Sequence, residues 1–204
     1  MRPVVSHWLS RSLMENNPFK QDVINFDEPT HTYTVKATGE KLISVSTLIH
    51  KYSQPFDPTG EILRKCALKE VIHPEELRKR WDDKRDNSCV RGTSFHKQAE
   101  FFVNTGKIQD GPDRDIIEHF STIVKFKGKI YSEVLVYSLA DGICGTTDLV
   151  EYFPEENSIV VRDFKTNEKI KKWGFKGQRM LSPLSHLQDC NLNIYELQLS
   201  TYCY

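Results

Sequence analysis

The sequence predicts a mixed α/β (α+β) domain in which a central mixed β-sheet is flanked by helices. Helical patterning dominates about residues 44–127. Strand patterning rich in β-branched and aromatic residues then takes over, and a helical pattern returns at the C-terminus. At 204 residues the chain is long enough for one sizeable core and short for two. The expected organisation is therefore an arm over residues 1–30 and one domain over 31–204, its helical part at about 44–127 and its sheet core at about 128–204.

The first 20 residues lack clear periodicity and read as a loose arm or a short helix. His31–Val35 alternates as a strand does, Ala37–Glu40 supplies a Gly-containing turn and Lys41–Val45 returns, which predicts a β-hairpin. Ser44 or Ser46 then caps a short helix through Lys51. Pro55 and Pro58 interrupt the chain before a helix around Gly60–Ile72, and Pro74 suits the first turn of a helix over PEELRKRWDDKR. A separate helix is expected from Thr93 to Asn104, stopped by Gly106, and another from Pro112 to Val124. Strands follow at Lys129–Ser138, Ile143–Phe153 and Ser158–Lys165, the last two joined by the turn Pro154-Glu155-Glu156-Asn157. Asn193–Tyr204 reads as a helix with no stop signal, as though the element continued.

Composition narrows the function classes. Apolar residues make up 38% and charged residues 27%, as in ordinary soluble domains. No apolar run approaches the roughly 18–20 residues of a membrane helix, and the N-terminus is too polar for a secretory signal, so an intracellular soluble protein is expected. The five cysteines are an odd number without a CxxC pair, which suits reduced thiols rather than a disulfide framework or a zinc knuckle. With zero formal charge, a nucleic-acid partner must be held by local patches. Arg162–Arg179 carries seven basic residues against two acids, with Trp173 and Phe175 inside it, and Arg78–Arg91 carries six against three around Trp81.

The turn at Pro154–Asn157 allows a geometric expectation. If it forms the loop, Phe153 faces Ser158, and the antiparallel ladder continues until Asp148 faces Asp163, with Cβ atoms about 4.5–5.5 Å apart. Two carboxylates so placed repel in a partly buried sheet, and a divalent cation shared between them resolves the repulsion. Lys165 lies two residues beyond Asp163, on the same strand face. His96 and Glu100, four apart, share one face of a helix, where His96 offers an imidazole to the same ion and Glu100 orients that ring or binds a second ion. Gln198 and Tyr202 repeat the spacing on the last helix.

In chain order these pieces are Gly92-Thr93-Ser94-Phe95-His96 with Glu100, Gly145-Thr146-Thr147-Asp148, Asp163-Phe164-Lys165-Thr166 and Gln198-x-x-x-Tyr202. Together they resemble the RecB-like exonuclease branch of the PD-(D/E)XK (restriction-endonuclease-like) nucleases. Ser44-Val45-Ser46-Thr47-Leu48-Ile49 and the DFKTNEK segment are similar to phage-type and mitochondrial genome-maintenance exonucleases. The resemblance covers about residues 31–204 and implies a restriction-endonuclease-like core, with Mg²⁺ or Mn²⁺ held by His96, Asp148, Asp163 and the backbone carbonyl of Phe164. Asp148, Asp163 and Lys165 become the catalytic set, Lys165 acting on the attacking water and the phosphate. Glu133 matches a family acid less closely, and Gln198 and Tyr202 position the active-site strand or the DNA backbone. The tight C-terminal cysteine group that holds an iron–sulfur cluster in some members is missing, so no such cluster is expected. Lys169, Lys171, Lys172, Trp173, Lys176 and Arg179 are the expected nucleic-acid contacts. The resulting expectation is a metal-dependent DNA exonuclease acting on single strands or ends in replication, recombination or repair. The alternatives are a structure-specific DNA or RNA endonuclease on the same core, or a non-catalytic DNA-binding scaffold.

Overall fold

A computed structural model describes residues 19, 22–27, 30–56 and 58–204. The segment expected to be a loose arm or a short helix, residues 1–18, lies outside the described residues. Strands β1 (Ile24–Asp27), β2 (Thr32–Val35) and β3 (Lys41–Ser44) form an antiparallel meander, so the expected hairpin gains a preceding strand from within the supposed arm. Ser44 ends β3 and caps α1 (Val45–His50), its hydroxyl accepting from the Thr47 amide at 3.1 Å.

The helical middle is α2 (Glu61–Glu70), α3 (Pro74–Thr105) and α4 (Arg114–Ile123). Two helices expected around 74–85 and 93–104 are one continuous helix of 32 residues, about 48 Å long. The Asp86-Asn87-Ser88 segment resembles a helix start in sequence. Its Ser88 hydroxyl instead donates to the Lys84 carbonyl one turn back, within the helix. Gly106 does end α3, in the left-handed conformation at φ 68°. Leu77 of α3 packs with Leu63 and Ala67 of α2, fastening the N-terminal half of the long helix. Burial of each leucine is worth about 1.5–3 kcal/mol.

Strands β4 (Lys129–Ser138) and β5 (Ile143–Phe153) occupy the expected residues, and β6 (Ser158–Arg162) ends three residues early. The sheet runs β1-β2-β3-β5-β4. β3 lies parallel to the start of β5, and β6 lies antiparallel to its end along the same edge, while β4 covers the other edge. It is a mixed sheet of six strands among the described residues, and it begins at residue 24 rather than at 128 as expected. Helix α5 (Asn191–Tyr202) packs on α1 through a cluster of Val45, Ile49, Met180 and Tyr202. Phe95 and Ala99 of α3 pack with Ile117 of α4 and with Phe164, just beyond β6. The region where β5 and β6 meet α3 and α5 is thus fixed from two sides. Among the described residues no helix is long and apolar enough to cross a membrane.

Candidate metal centre

The loop between β5 and β6 sets Phe153 opposite Ser158 and Leu149 opposite Arg162, the predicted register. Asp148 and Asp163 occupy the next pair of positions, immediately past the last ladder pair. A third acid joins them from the other side. Ser132 pairs with Leu149 and Val134 with Thr147, so Glu133 stands opposite Asp148 across β4 and β5. Glu133, Asp148 and Asp163 therefore form one row across three neighbouring segments. Glu133 has φ of 49°, a left-handed conformation uncommon for a non-glycine residue, where the β4–β5 pairing is interrupted.

Helix α3 delivers the imidazole. His96 Nδ1 lies 2.9 Å from Asp148 Oδ1, and the other Asp148 oxygen accepts from the Phe164 backbone N–H. That second bond explains why β6 stops at Arg162: the Phe164 amide serves a carboxylate rather than a strand carbonyl. The rings of Phe95 and Phe164 stand edge-on to His96 and limit its orientation. His96, Glu133 and Asp148 each present a ligand atom within 4.8 Å of the others, spacing and chemistry that suit one divalent cation. Glu133, whose match to the family pattern is less close than that of Asp148 or Asp163, is one of the three.

Asp163, expected among the direct ligands, is engaged by the Lys165 ammonium. Lys165 also donates to Gln198 Oε1 at 3.2 Å and lies 4.8 Å from the centroid of the Tyr195 ring. Gln198 in turn donates to the Tyr202 hydroxyl at 2.9 Å. The Tyr202 ring is seated so close to Gly145 that a Cβ there would come within 2.7 Å of it. The separated sequence motifs are thus one mechanical chain: Gly145 admits Tyr202, Tyr202 positions Gln198, and Gln198 positions the lysine. Tyr195, whose hydroxyl donates to Asn167 at 2.6 Å, belongs to this holder and was missed in the sequence. Its signal was its place one turn before Gln198 on the same helix.

The electrostatics mark a surplus of negative charge. Glu133 is open to solvent at the mouth, yet its carboxyl lies in a crowded acidic recess. Burial together with Asp148 and Glu100 pushes its pKa up to about 7. Glu100 thus acts on the site through its charge, one turn from His96. Burial and the Asp148 carboxylate raise the Asp163 pKa in spite of Lys165. The hydrogen bond to Asp148 raises that of His96, against the effect of burial. One imidazole and one ammonium leave the acids under-compensated, as expected of a site shaped for a cation.

The expected nucleic-acid contacts Lys169, Lys171, Lys172, Trp173, Lys176 and Arg179 all lie exposed on the segment between β6 and α5, Lys176 in a single 3-10 turn and Arg179 in an isolated bridge to Gln188. The Arg179 guanidinium donates to the His186 carbonyl at 2.9 Å and so helps to tether that segment. Lys176 lies over the neighbouring Phe175 ring. Trp173 is 74% exposed, which rules out a core role. Comparison with known proteins returns no matching family model, no matching curated protein and no matching solved structure.

Proposed function

We propose that this chain is a divalent-metal-dependent nuclease that hydrolyses DNA phosphodiester bonds, as an exonuclease on single strands or on ends, in replication, recombination or repair. The observation that carries the reading is the row Glu133–Asp148–Asp163 with His96 against its centre and Lys165 at its end. The motif order that resembles RecB-like PD-(D/E)XK nucleases adds to it, and the mixed α/β fold is compatible with that reading.

The donor set fits a hard divalent ion. Its acids carry a charge surplus, two of them are largely buried, and an imidazole is held at ligand distance. His96, Glu133 and Asp148 would hold Mg²⁺ or Mn²⁺, with Asp163 beside them. Such an ion supplies Lewis-acid polarisation of a phosphate oxygen and a more acidic bound water. One Asp148 oxygen accepts from the Phe164 amide, which fixes the orientation of the carboxylate, and the other lies 2.9 Å from His96 Nδ1, so that both can face one ion. Lys165 is held by Asp163, Gln198 and Tyr195 where its ammonium can donate to a phosphate oxygen as charge develops. Asp163 and Gln198 position the ammonium before substrate arrives, and a role in the transition state would show as a fall in rate without a fall in affinity.

The test is digestion of end-labelled linear and circular DNA, single- and double-stranded, with RNA of the same sequence, in Mg²⁺, Mn²⁺ or EDTA. Metal-dependent shortening of linear single strands with circles spared is expected. Cutting of circles would make the enzyme an endonuclease, and preference for RNA would change its substrate. No cleavage under any metal, or equal cleavage in EDTA, would overturn the nuclease reading.

A further inference from the structure

Two sequence-distant basic segments meet beside the acidic row. Lys84, Ser88 and Arg91 follow one another at helical spacing along α3, and they face Thr166, Asn167, Lys169 and Lys171 across a cleft of about 460 Å³. The cleft abuts the metal centre: a Cβ on Gly92 would lie 3.7 Å from the Thr166 hydroxyl, directly after Lys165. His96 is on the same helix, with Arg91 about 8 Å and Lys84 about 18 Å farther along its axis. A second cleft, of about 420 Å³, shares Lys171 and Asn191 with the first and is lined by Trp173, Phe175 and Ile194. The two clefts form one trough, basic at one end and aromatic at the other.

The basic residues of the trough differ from the other arginines of α3. Arg78, Arg80 and Arg85 are each paired with carboxylates among Glu70, Glu76, Asp82 and Asp86. Among the described residues no carboxylate pairs with Lys84, Arg91, Lys169 or Lys171; Glu168 is the acid that shares their cleft. The aromatics are displayed rather than loose. Trp173 is 74% and Phe175 72% exposed, and the buried Gly174 between them donates to Gln188 Oε1 at 3.3 Å. A Cβ at Gly174 would collide with the Gln178 carbonyl, so the backbone there is closely packed. The Lys171 carbonyl accepts from the Leu192 amide, which fastens the trough to α5.

We propose that this trough is a binding site for a single-stranded polynucleotide. Its phosphates lie along Lys84, Arg91, Lys169 and Lys171, and its bases stack on Trp173 and Phe175. A duplex already stacks its bases internally and has none to offer these rings, whereas a single strand does. The fold sets the order along the path: beside Thr166 next to the acidic row, then between the basic walls, then over the aromatics. The inference rests on the nuclease reading for its biological sense, but its test does not require cleavage.

The test is fluorescence anisotropy in EDTA with labelled oligo(dT), oligo(rU) and a blunt DNA duplex of about a dozen units each, over a salt series. Wild-type protein is expected to prefer the single strands, and the dT and rU arms assign the sugar. Trp173→Ala should weaken binding roughly 5- to 150-fold with no change in melting temperature. Arg91→Ala with Lys171→Ala should reduce the salt slope by about 0.7 per lost phosphate contact. The carboxylate-paired Arg78→Ala with Arg80→Ala should leave affinity and slope unchanged. Charge reversal at Lys171 (Lys171→Glu) provides a stronger version of the same test. Equal affinity for duplex and single strand, or variants at Arg91, Lys171 and Trp173 that bind as wild type, would overturn the trough. Metal-dependent cleavage with unaltered binding in those variants would sink the trough alone, while trough-dependent binding without cleavage would sink only the nuclease.

Discussion

Strand β5 carries two largely buried acids, three residues apart and so on opposite faces of the sheet, whose fates differ. Glu151 is 2% exposed, accepts from the Lys127 and Gly128 amides at 2.6 and 2.9 Å, and pairs with Arg162 at 2.6 Å. Burial alone would raise its pKa, but the two amides and the guanidinium outweigh it and hold the carboxyl below its ordinary range. Three residues earlier, Asp148 stands between two further acids, and the raised pKa values of Glu133 and Asp163 record charge the protein leaves uncompensated. The contrast teaches that a buried carboxylate is no sign of a site. A carboxylate whose neighbours are other carboxylates is one, because folding leaves its partner to be supplied from solution.

The largest effect expected from this comparison is on catalysis. Asp148→Asn keeps the shape but removes the central negative charge, and cleavage should fall to the EDTA background. Wild-type rates in that variant would break the comparison at its active end. Lys165→Ala should lower kcat by about 10²- to 10⁴-fold with little change in DNA affinity, as measured by single-turnover kinetics beside anisotropy. A fall in affinity that matched the fall in rate would make Lys165 a phosphate anchor instead.

Opposite signs of stability should separate the two acids. Glu151→Ala leaves Arg162 and two backbone amides without their acceptor, and chemical denaturation should show a loss of about 3 kcal/mol. Glu133→Gln removes a repelled charge, and in EDTA at pH 8 it should stabilise the protein by about 1–2 kcal/mol, a figure reduced for the solvent access of that side chain. A destabilised Glu133→Gln would mean that the acid row is already compensated from within. The pH dependence sharpens the same point with a smaller effect. The folded pKa of Glu151 is depressed, so its contribution is present above the ordinary glutamate pKa and is lost as pH falls through the folded value. Denaturation of wild type between pH 6 and about 3 should therefore show falling stability that Glu151→Gln blunts, and an unchanged slope in that variant would remove Glu151 from the account.

Much of this was legible in the sequence because hairpins translate turn positions into register. The Pro154–Asn157 loop put Asp148 opposite Asp163, and the ladder that sets this register holds as far as Leu149 and Arg162, one pair short of them. The same reasoning applied to the turn after Ser138 would have paired Glu133 with Asp148, since Ser138 faces Ile143. What could not be read was the interruption of β6, which depends on the Phe164 amide turning to a carboxylate. Strand β1 also escaped notice. Ile24-Asn25-Phe26-Asp27 does alternate apolar and polar, but over only four residues, and Phe26 is exposed all the same, so the strand owes its place to pairing with β2. The two expected helices run on as α3, which accommodates the Ser88 hydroxyl by a bond to the Lys84 carbonyl, a choice that propensity leaves open. The trough was half legible: both basic segments stood out by charge, but their meeting required the fold.

Isothermal titration of the protein with Mn²⁺ asks, without DNA or turnover, whether the row Glu133–Asp148–Asp163 with His96 is a cation site. Wild type is predicted to bind Mn²⁺ saturably and with release of protons at pH 7, because Glu133 titrates at about 7 and must ionise to serve as a ligand. Asp148→Asn should abolish that binding, and Glu151→Gln should leave it intact. Binding in Asp148→Asn equal to that of wild type, or no saturable binding in wild type, would contradict the account.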